Sequence, residues 1–184
     1  MTERNNLWAP WRINYILGLD VDPSAKKEQN SQTSEEIQCF LCHNLLHPQD
    51  DDENLVLWRT ERSIVVLNRY PYNNGHLLIA PARHIYGLDE ASDEELLDMI
   101  KLIRETQRAL SLAIQPHGFN VGMNFGRCAG AGLPGHLHIH VVPRWNGDTN
   151  FMSVCCETKV ISQSLTELLE LLKKASSDNN LPDL

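Results

Sequence analysis

Three histidines alternate with apolar residues in Gly135-His136-Leu137-His138-Ile139-His140-Val141-Val142-Pro143. Alternation with period two predicts a β-strand, on which side chains i, i+2 and i+4 share one face at intervals of about 7 Å. Leu137, Ile139 and Val141 then enter the core while three imidazoles line the opposite side. Aligning such rings is costly unless both nitrogens of each find partners. Four readings fit: incidental surface histidines, a hydrogen-bonded core strand, a metal site made of all three, or a catalytic strand. The preceding segment, Asn124-Phe125-Gly126-Arg127-Cys128-Ala129-Gly130-Ala131-Gly132-Leu133-Pro134-Gly135, favours the last. Backbone without Cβ atoms can bring several N–H groups close to an anion, and Arg127 adds fixed positive charge. Feeding straight into the histidine strand, this loop reads as a phosphate cradle beside a nucleophile.

A second chemical signal is Cys39-Phe40-Leu41-Cys42. A single C-x-x-C is a zinc half-site, a redox pair or chance, and the redox reading expects a βαβ context that is missing here. Zinc needs two further ligands. His43 and His47 are nearest in sequence, while His84, just past a strand end, and His136, at the entrance to the triad strand, are the distant candidates.

The elements that must hold these groups are legible from pattern. Leu55–Thr60, Ser63–Arg69 and His76–Ala82 are short Val/Ile/Leu-rich runs, and Tyr70-Pro71-Tyr72-Asn73-Asn74-Gly75 is a turn between two of them, so an antiparallel meander is expected. Asn68 sits at a turn, where asparagine commonly caps. Ser92-Asp93-Glu94-Glu95 is a capping box, followed by Leu96, Met99, Ile100, Ile103, Leu110 and Ile114 at helical spacing and ended by Pro116. Gly118–Asn124 returns as a strand. Ser164 with Glu167 caps a last helix with a Leu165, Leu168, Leu169, Leu172 stripe, and Ser176–Leu184 is a polar tail. Near the N-terminus Trp8–Leu17 predicts a short aromatic helix, with a polar insert over 20–38. Strands and helices are segregated, so the class is α+β.

The 184 residues suit one domain, and 42% hydrophobic with 22% charged residues is an ordinary globular composition. No apolar run reaches the roughly 20 residues of a membrane span, and no secretory h-region is present, so a cytoplasmic protein with no membrane partner is expected. A net charge of −8 argues against nucleic acid. An anionic small molecule then requires local positive character, for which Arg127, Arg144, loop amides and a metal are the candidates. Five cysteines, among them Cys128, Cys155 and Cys156, fit a reducing compartment rather than a disulfide framework.

The triad strand resembles the motif His-φ-His-φ-His-φ-φ of the histidine-triad (HIT) superfamily of nucleotidyl hydrolases and transferases. Pro143-Arg144-Trp145-Asn146-Gly147-Asp148, the Asn150-Phe151 pair, and Leu7-Trp8-Ala9-Pro10-Trp11-Arg12 with Tyr15 resemble its branch of actinobacterial diadenosine tetraphosphate phosphorylases. The similarity runs from Leu7 to about Ala175, apart from the insert. It implies a HIT-like fold, a five-stranded antiparallel sheet with a long helix and a C-terminal helix packed on it, and a homodimer. It makes His138 the nucleophile on the α-phosphorus and His140 the partner of phosphate or bridging oxygens. Asn124 and the amides of Gly130, Ala131 and Gly132 would hold non-bridging oxygens, and Asn68 the ribose hydroxyls. Cys39, Cys42, His84 and His136 match the positions that hold structural Zn²⁺.

The implied substrate is an adenine dinucleoside polyphosphate, with inorganic phosphate giving ADP from an adenylyl-histidine and water giving AMP. Alternatives are a nucleoside phosphoramidate or dinucleoside polyphosphate hydrolase, and a zinc-clipped nucleotide-binding module without catalysis. One position departs: four residues before the first triad histidine, relatives carry Gln or Ser, and here it is Gly132. The choice between phosphate and water as acceptor turns on that position.

Overall fold

A computed structural model describes residues 39–130, 132–133, 135–149 and 160–184. The expected Trp8–Leu17 helix, the insert over 20–38, Ala131, Asn150-Phe151, Cys155 and Cys156 lie outside them. The described strands are β1 (Val56–Arg59), β2 (Ser63–Leu67), β3 (Leu77–Pro81), β4 (Gly118–Met123) and β5 (Ile139–Arg144). They form one sheet in the order β1-β2-β3-β5-β4, antiparallel throughout. The triad strand is therefore interior, flanked by β3 and β4.

Alternation sorts the sheet residues onto two faces. Val65, Leu67, Leu77, Ile79, Ile139 and Val141 join one core with helices α2 (Asp93–Ile114) and α3 (Leu165–Asp178), which supply Met99, Leu102, Leu110, Leu168 and Leu172. Ile64, Val66, Leu78 and Ala80 face the other way, against Leu41 of the short helix α1 (Phe40–Leu46) and Cys39 at its N-cap. The capping box forms as expected, with Ser92 N–H donating to the Glu95 carboxylate at 2.8 Å and Glu95 N–H to the Ser92 hydroxyl at 3.3 Å. Gln115 in the left-handed region, φ 47°, closes α2 before Pro116. In the turn before β3, Gly75 has φ 76°, and a Cβ there would stand 2.8 Å from Ile114 Cδ1 and 3.0 Å from Pro143 Cγ. Only glycine lets the turn lie this close to α2.

Three features differ from the expectation. Helix α1 carries the C-x-x-C pair; its seven residues are too few to show a helical period in sequence. The paired strand β5 begins at Ile139, not at His136. Its pairing with β3 stops at Ile79↔Ile139; the same register would set His138 opposite Ala80 and then Leu137 opposite Pro81, which has no N–H to donate. The alternation nevertheless persists upstream, with Leu137 in the helix-side core and His136 buried. Finally, the polar C-terminal residues are docked: α3 continues through Asp178, Leu181 enters the core, and Arg104 Nη2 donates to Asp183 O at 2.8 Å.

Candidate active site

His136, His138 and His140 all lie on the side of the sheet opposite α2 and α3, and all are buried, at 0%, 7% and 9% exposure. His138 Nδ1 lies 2.8 Å from the carbonyl oxygen of its neighbour His136. A carbonyl can only accept, so Nδ1 carries the proton and Nε2 presents its lone pair. That carbonyl is free to do this because strand pairing starts three residues later. A neutral ring held in this tautomer is a nucleophile that needs no separate base.

A second ring behind the triad extends the same logic. His76, fully buried just before β3, receives the Tyr72 main-chain N–H on Nδ1 at 3.0 Å and lies 3.2 Å from Asn68 Nδ2 on the same atom. Its proton must then sit on Nε2, which donates to His140 Nδ1 at 2.9 Å. His140 is left with its own proton on Nε2, directed toward Asn124, whose carboxamide is 3.4 Å away. A half-turn of that amide places its oxygen to accept. The deduction requires neutral rings, and burial lowers His76 to about 3 and His140 to about 4, with neighbouring histidines pushing the same way. The site thus pairs a lone-pair nitrogen on His138 with an N–H donor on His140. Their rings meet edge to face at 4.9 Å between centroids.

On the same side of the sheet lies a cluster of sulfur and nitrogen donors. Cys39 Sγ is 3.3 Å from His136 Nδ1, and Cys42 Sγ is 3.1 Å from His84 Nδ1 and 3.5 Å from His136 Nδ1. All four donor atoms lie within 4.8 Å of one another. A tetrahedral ion with metal–sulfur bonds of about 2.3 Å and metal–nitrogen bonds of about 2.0 Å needs donor–donor edges of about 3.3–3.8 Å, and the sulfur–nitrogen separations of 3.1–3.5 Å are close to that. His136 Nε2–H donates to Pro81 O at 2.9 Å, which leaves Nδ1 as the ligating lone pair. The two histidines nearest in sequence are excluded from this cluster. His43 and His47 stack on each other at 4.2 Å, and His47 Nδ1 donates to His43 O at 2.7 Å.

Residues 49–147 match the HIT domain family. Over 166 residues the chain is 39% identical to the AP-4-A phosphorylase of Mycobacterium tuberculosis, an alignment covering 90% of this chain and 81% of that protein. The chain belongs to the HIT family. It is also 31% identical over 93 residues, half of each chain, to the bis(5′-nucleosyl)-tetraphosphatase [asymmetrical] of Schizosaccharomyces pombe. The crystal structure of a zinc-bound histidine triad family protein from Mycobacterium smegmatis shares the fold, with a TM-score of 0.63 and 23% identity, covering 79% of this chain and 97% of that one. A hypothetical histidine triad nucleotide-binding protein from Sulfolobus tokodaii superposes with a TM-score of 0.61.

Among the residues expected at this HIT site, Asn68, Asn124, His138 and His140 gather around one set of rings. Asn68 also caps its turn, accepting the Tyr70 N–H at 3.0 Å. Gly130 and Gly132 are exposed, with open space where a Cβ would stand, and Gly130 has φ 89°. Apart from the Asn124–His140 contact, the described residues of the glycine loop make no hydrogen bond to the three histidines. Arg144 does not supply charge to the site: it is bound to Asp148 at 2.6 and 2.9 Å and to Asn120 at 2.8 Å. The reading of the sequence missed His76. The available signal was a lone polar residue opening the apolar run His76-Leu77-Leu78-Ile79-Ala80.

Proposed function

We propose that this chain phosphorolyses diadenosine tetraphosphate to ATP and ADP through an adenylyl-His138 intermediate. The observation that carries the reading is the tautomer of His138, with Nδ1 spent on the His136 carbonyl and Nε2 free. The similarity to a named AP-4-A phosphorylase over 90% of the chain supports the substrate. Nε2 attacks the α-phosphorus as the bond from that phosphorus to the bridging oxygen breaks. ATP departs with that oxygen, which takes a hydrogen bond from His140 Nε2–H. An oxygen of inorganic phosphate then attacks the same phosphorus, the phosphorus–nitrogen bond breaks, and ADP leaves with His138 restored. Asn124 and the amides of Gly130, Ala131 and Gly132 hold non-bridging oxygens, and the Asn68 amide takes the ribose hydroxyls. Such preorganised donors supply most of the stabilisation when charge develops on phosphoryl oxygens.

Cys39, Cys42, His84 and His136 would hold zinc, a reading supported by the donor spacing and by the zinc-bound relative. When bound, the ion supplies a crosslink between α1 and the sheet. The reading extends to one HIT domain across the chain and to a homodimer. An open sheet edge supports the dimer: β4 is largely exposed where β2 and β3 are wholly buried. A cytoplasmic location is supported by the free thiols of Cys39 and Cys128, and no helix among the described residues is long and apolar enough to cross a membrane.

Gly132 favours one alternative, hydrolysis, because the position lacks a side-chain donor for an incoming phosphate and opens onto free space. Incubation with diadenosine tetraphosphate and labelled inorganic phosphate separates the two. Label in ADP is expected, while unlabelled AMP beside ATP would replace phosphorolysis by hydrolysis. His138→Ala is expected to lower turnover about 10⁴-fold or more, and unchanged turnover would remove the covalent route altogether.

A further inference from the structure

Tyr72 is an aromatic side chain in an unusual position. Its ring stacks against that of His140, with centroids 5.6 Å apart and 24° between planes, and lies 4.6 Å from His76. It is nevertheless 55% exposed, whereas Trp58 of the core is only 7% exposed. The hydroxyl makes no hydrogen bond with any described residue. The ring is held from beneath: the Tyr72 main-chain N–H is fixed on His76 Nδ1 at 3.0 Å, and Pro71 before it restricts the backbone. One face therefore covers two imidazoles of the site, while a large part of the ring stands bare at the mouth.

We propose that Tyr72 is the stacking platform for the nucleobase of the departing nucleotide, and so determines specificity for substrates with two nucleosides. The proposal rests on the dinucleoside polyphosphate reading above. The rings follow one another in the order His138, His140, Tyr72. His138 takes the transferred adenylyl group and His140 faces the bridging oxygen, so the departing polyphosphate passes the ring that Tyr72 flanks. Its far nucleoside then meets the first bare aromatic surface beyond the phosphates. A tyrosine has two side-chain torsions, and here they are already fixed by packing on His76 and His140, so little ordering remains to oppose stacking. Stacking on an aromatic face needs no charge, which suits a binding partner for a base on a chain of net charge −8. Tyr70, in the same turn and 83% exposed, has no ring contact with any described residue and is the internal control.

The test measures binding in a His138→Ala background, where turnover does not intervene. Calorimetry gives the Kd of diadenosine tetraphosphate and of adenosine 5′-tetraphosphate, which carries the same phosphates but no second nucleoside. The dinucleotide is expected to bind at least tenfold more tightly than the mononucleotide. Tyr72→Leu should abolish that difference while leaving the mononucleotide Kd within twofold, which also reports an intact fold. Tyr72→Trp should keep or enlarge the difference, and Tyr70→Leu should leave it unchanged. The proposal is overturned if no second-nucleoside difference exists, if Tyr72→Leu weakens both ligands equally, or if Tyr70→Leu has the same effect. Failure of phosphorolysis is read separately, from where the phosphate label appears.

Discussion

The tautomer chain from Tyr72 N–H through His76 to His140 can be broken at its middle member. Replacing His76 by Phe keeps a flat ring in the fully buried site but removes both nitrogens. The Tyr72 N–H and His140 Nδ1, now 3.0 and 2.9 Å from those nitrogens, lose their partners. Two buried groups left unsatisfied cost about 1–3 kcal/mol each, so His76→Phe should lower stability by roughly 4 kcal/mol. The kinetic effect has a different origin: His140 loses the contact that fixes its proton on Nε2 and its orientation. A displacement on the order of 1 Å in a positioned group costs about 10²-fold in rate, and that is the expected fall in kcat. His76→Gln separates the two effects. Its carboxamide nitrogen can stand where the imidazole Nε2 does and still donate to His140, but no acceptor remains for the Tyr72 N–H. It should retain kcat to within about tenfold while losing about 2 kcal/mol. Rates follow from ATP release at saturating diadenosine tetraphosphate and phosphate, and stability from urea unfolding. Nitrogen-15 spectra of the wild type should show His140 protonated on Nε2. The reasoning fails if His140 is an Nδ1–H tautomer, or if the Phe and Gln variants are equally impaired in kcat.

Two further predictions concern metal and pH. Purified protein should contain about one zinc ion per chain; dialysis against a chelator should lower the melting temperature and added zinc restore it. Cys39→Ser with Cys42→Ser should lose the metal, while His43→Ala with His47→Ala should keep it, since those rings stack apart from the cluster. Stability should fall as pH drops from about 6.5 toward 5. His76 and His140 titrate near 3 and 4 in the fold against 6.5 in the unfolded chain, so in this window the unfolded state binds more protons. Each group contributes a slope of up to about 1.4 kcal/mol per pH unit. Depressed carboxylates such as Glu95, near 2, lose their contribution only below about 4.5, so unfolding free energies at pH 7, 6 and 5 isolate the histidines. A flat profile there would mean that the rings are not held neutral.

The parts of this fold that were legible share one property: each announces itself within a few consecutive residues. The capping box at Ser92, the Tyr70–Gly75 turn and the apolar runs that become β2 and β3 are local, and each forms where the sequence puts it. The donor cluster needed more, because Cys39 and His136 are 97 residues apart and only the resemblance to relatives chose His84 and His136 over His43 and His47. What could not be read was set by tertiary contact. His76 looked like the start of an apolar strand, and its role depends on a ring that the β3–β5 pairing brings beside it. Arg144 looked like a cation near the site, but Asp148, four residues on, takes its charge. The C-terminal segment looked free because its composition is polar, although a single leucine, Leu181, is enough to seat it against the core.

The misplaced start of β5 has the largest consequence for chemistry. Had the strand paired from His136, as its alternation suggested, the carbonyl of that residue would have entered the sheet ladder. The ladder begins at Ile139 instead, and two acceptors stay outside it. The oxygen of Pro81 takes His136 Nε2–H and so turns Nδ1 toward Cys39 and Cys42, while the oxygen of His136 takes His138 Nδ1–H and so turns Nε2 outward. His136 therefore serves two sites at once, its ring belonging to the donor cluster and its main chain to the nucleophile. The late start of the ladder, at Ile139, accounts for both orientations. It also explains why three histidines in identical alternation have different tasks: the first two precede the ladder, and only His140 lies within it.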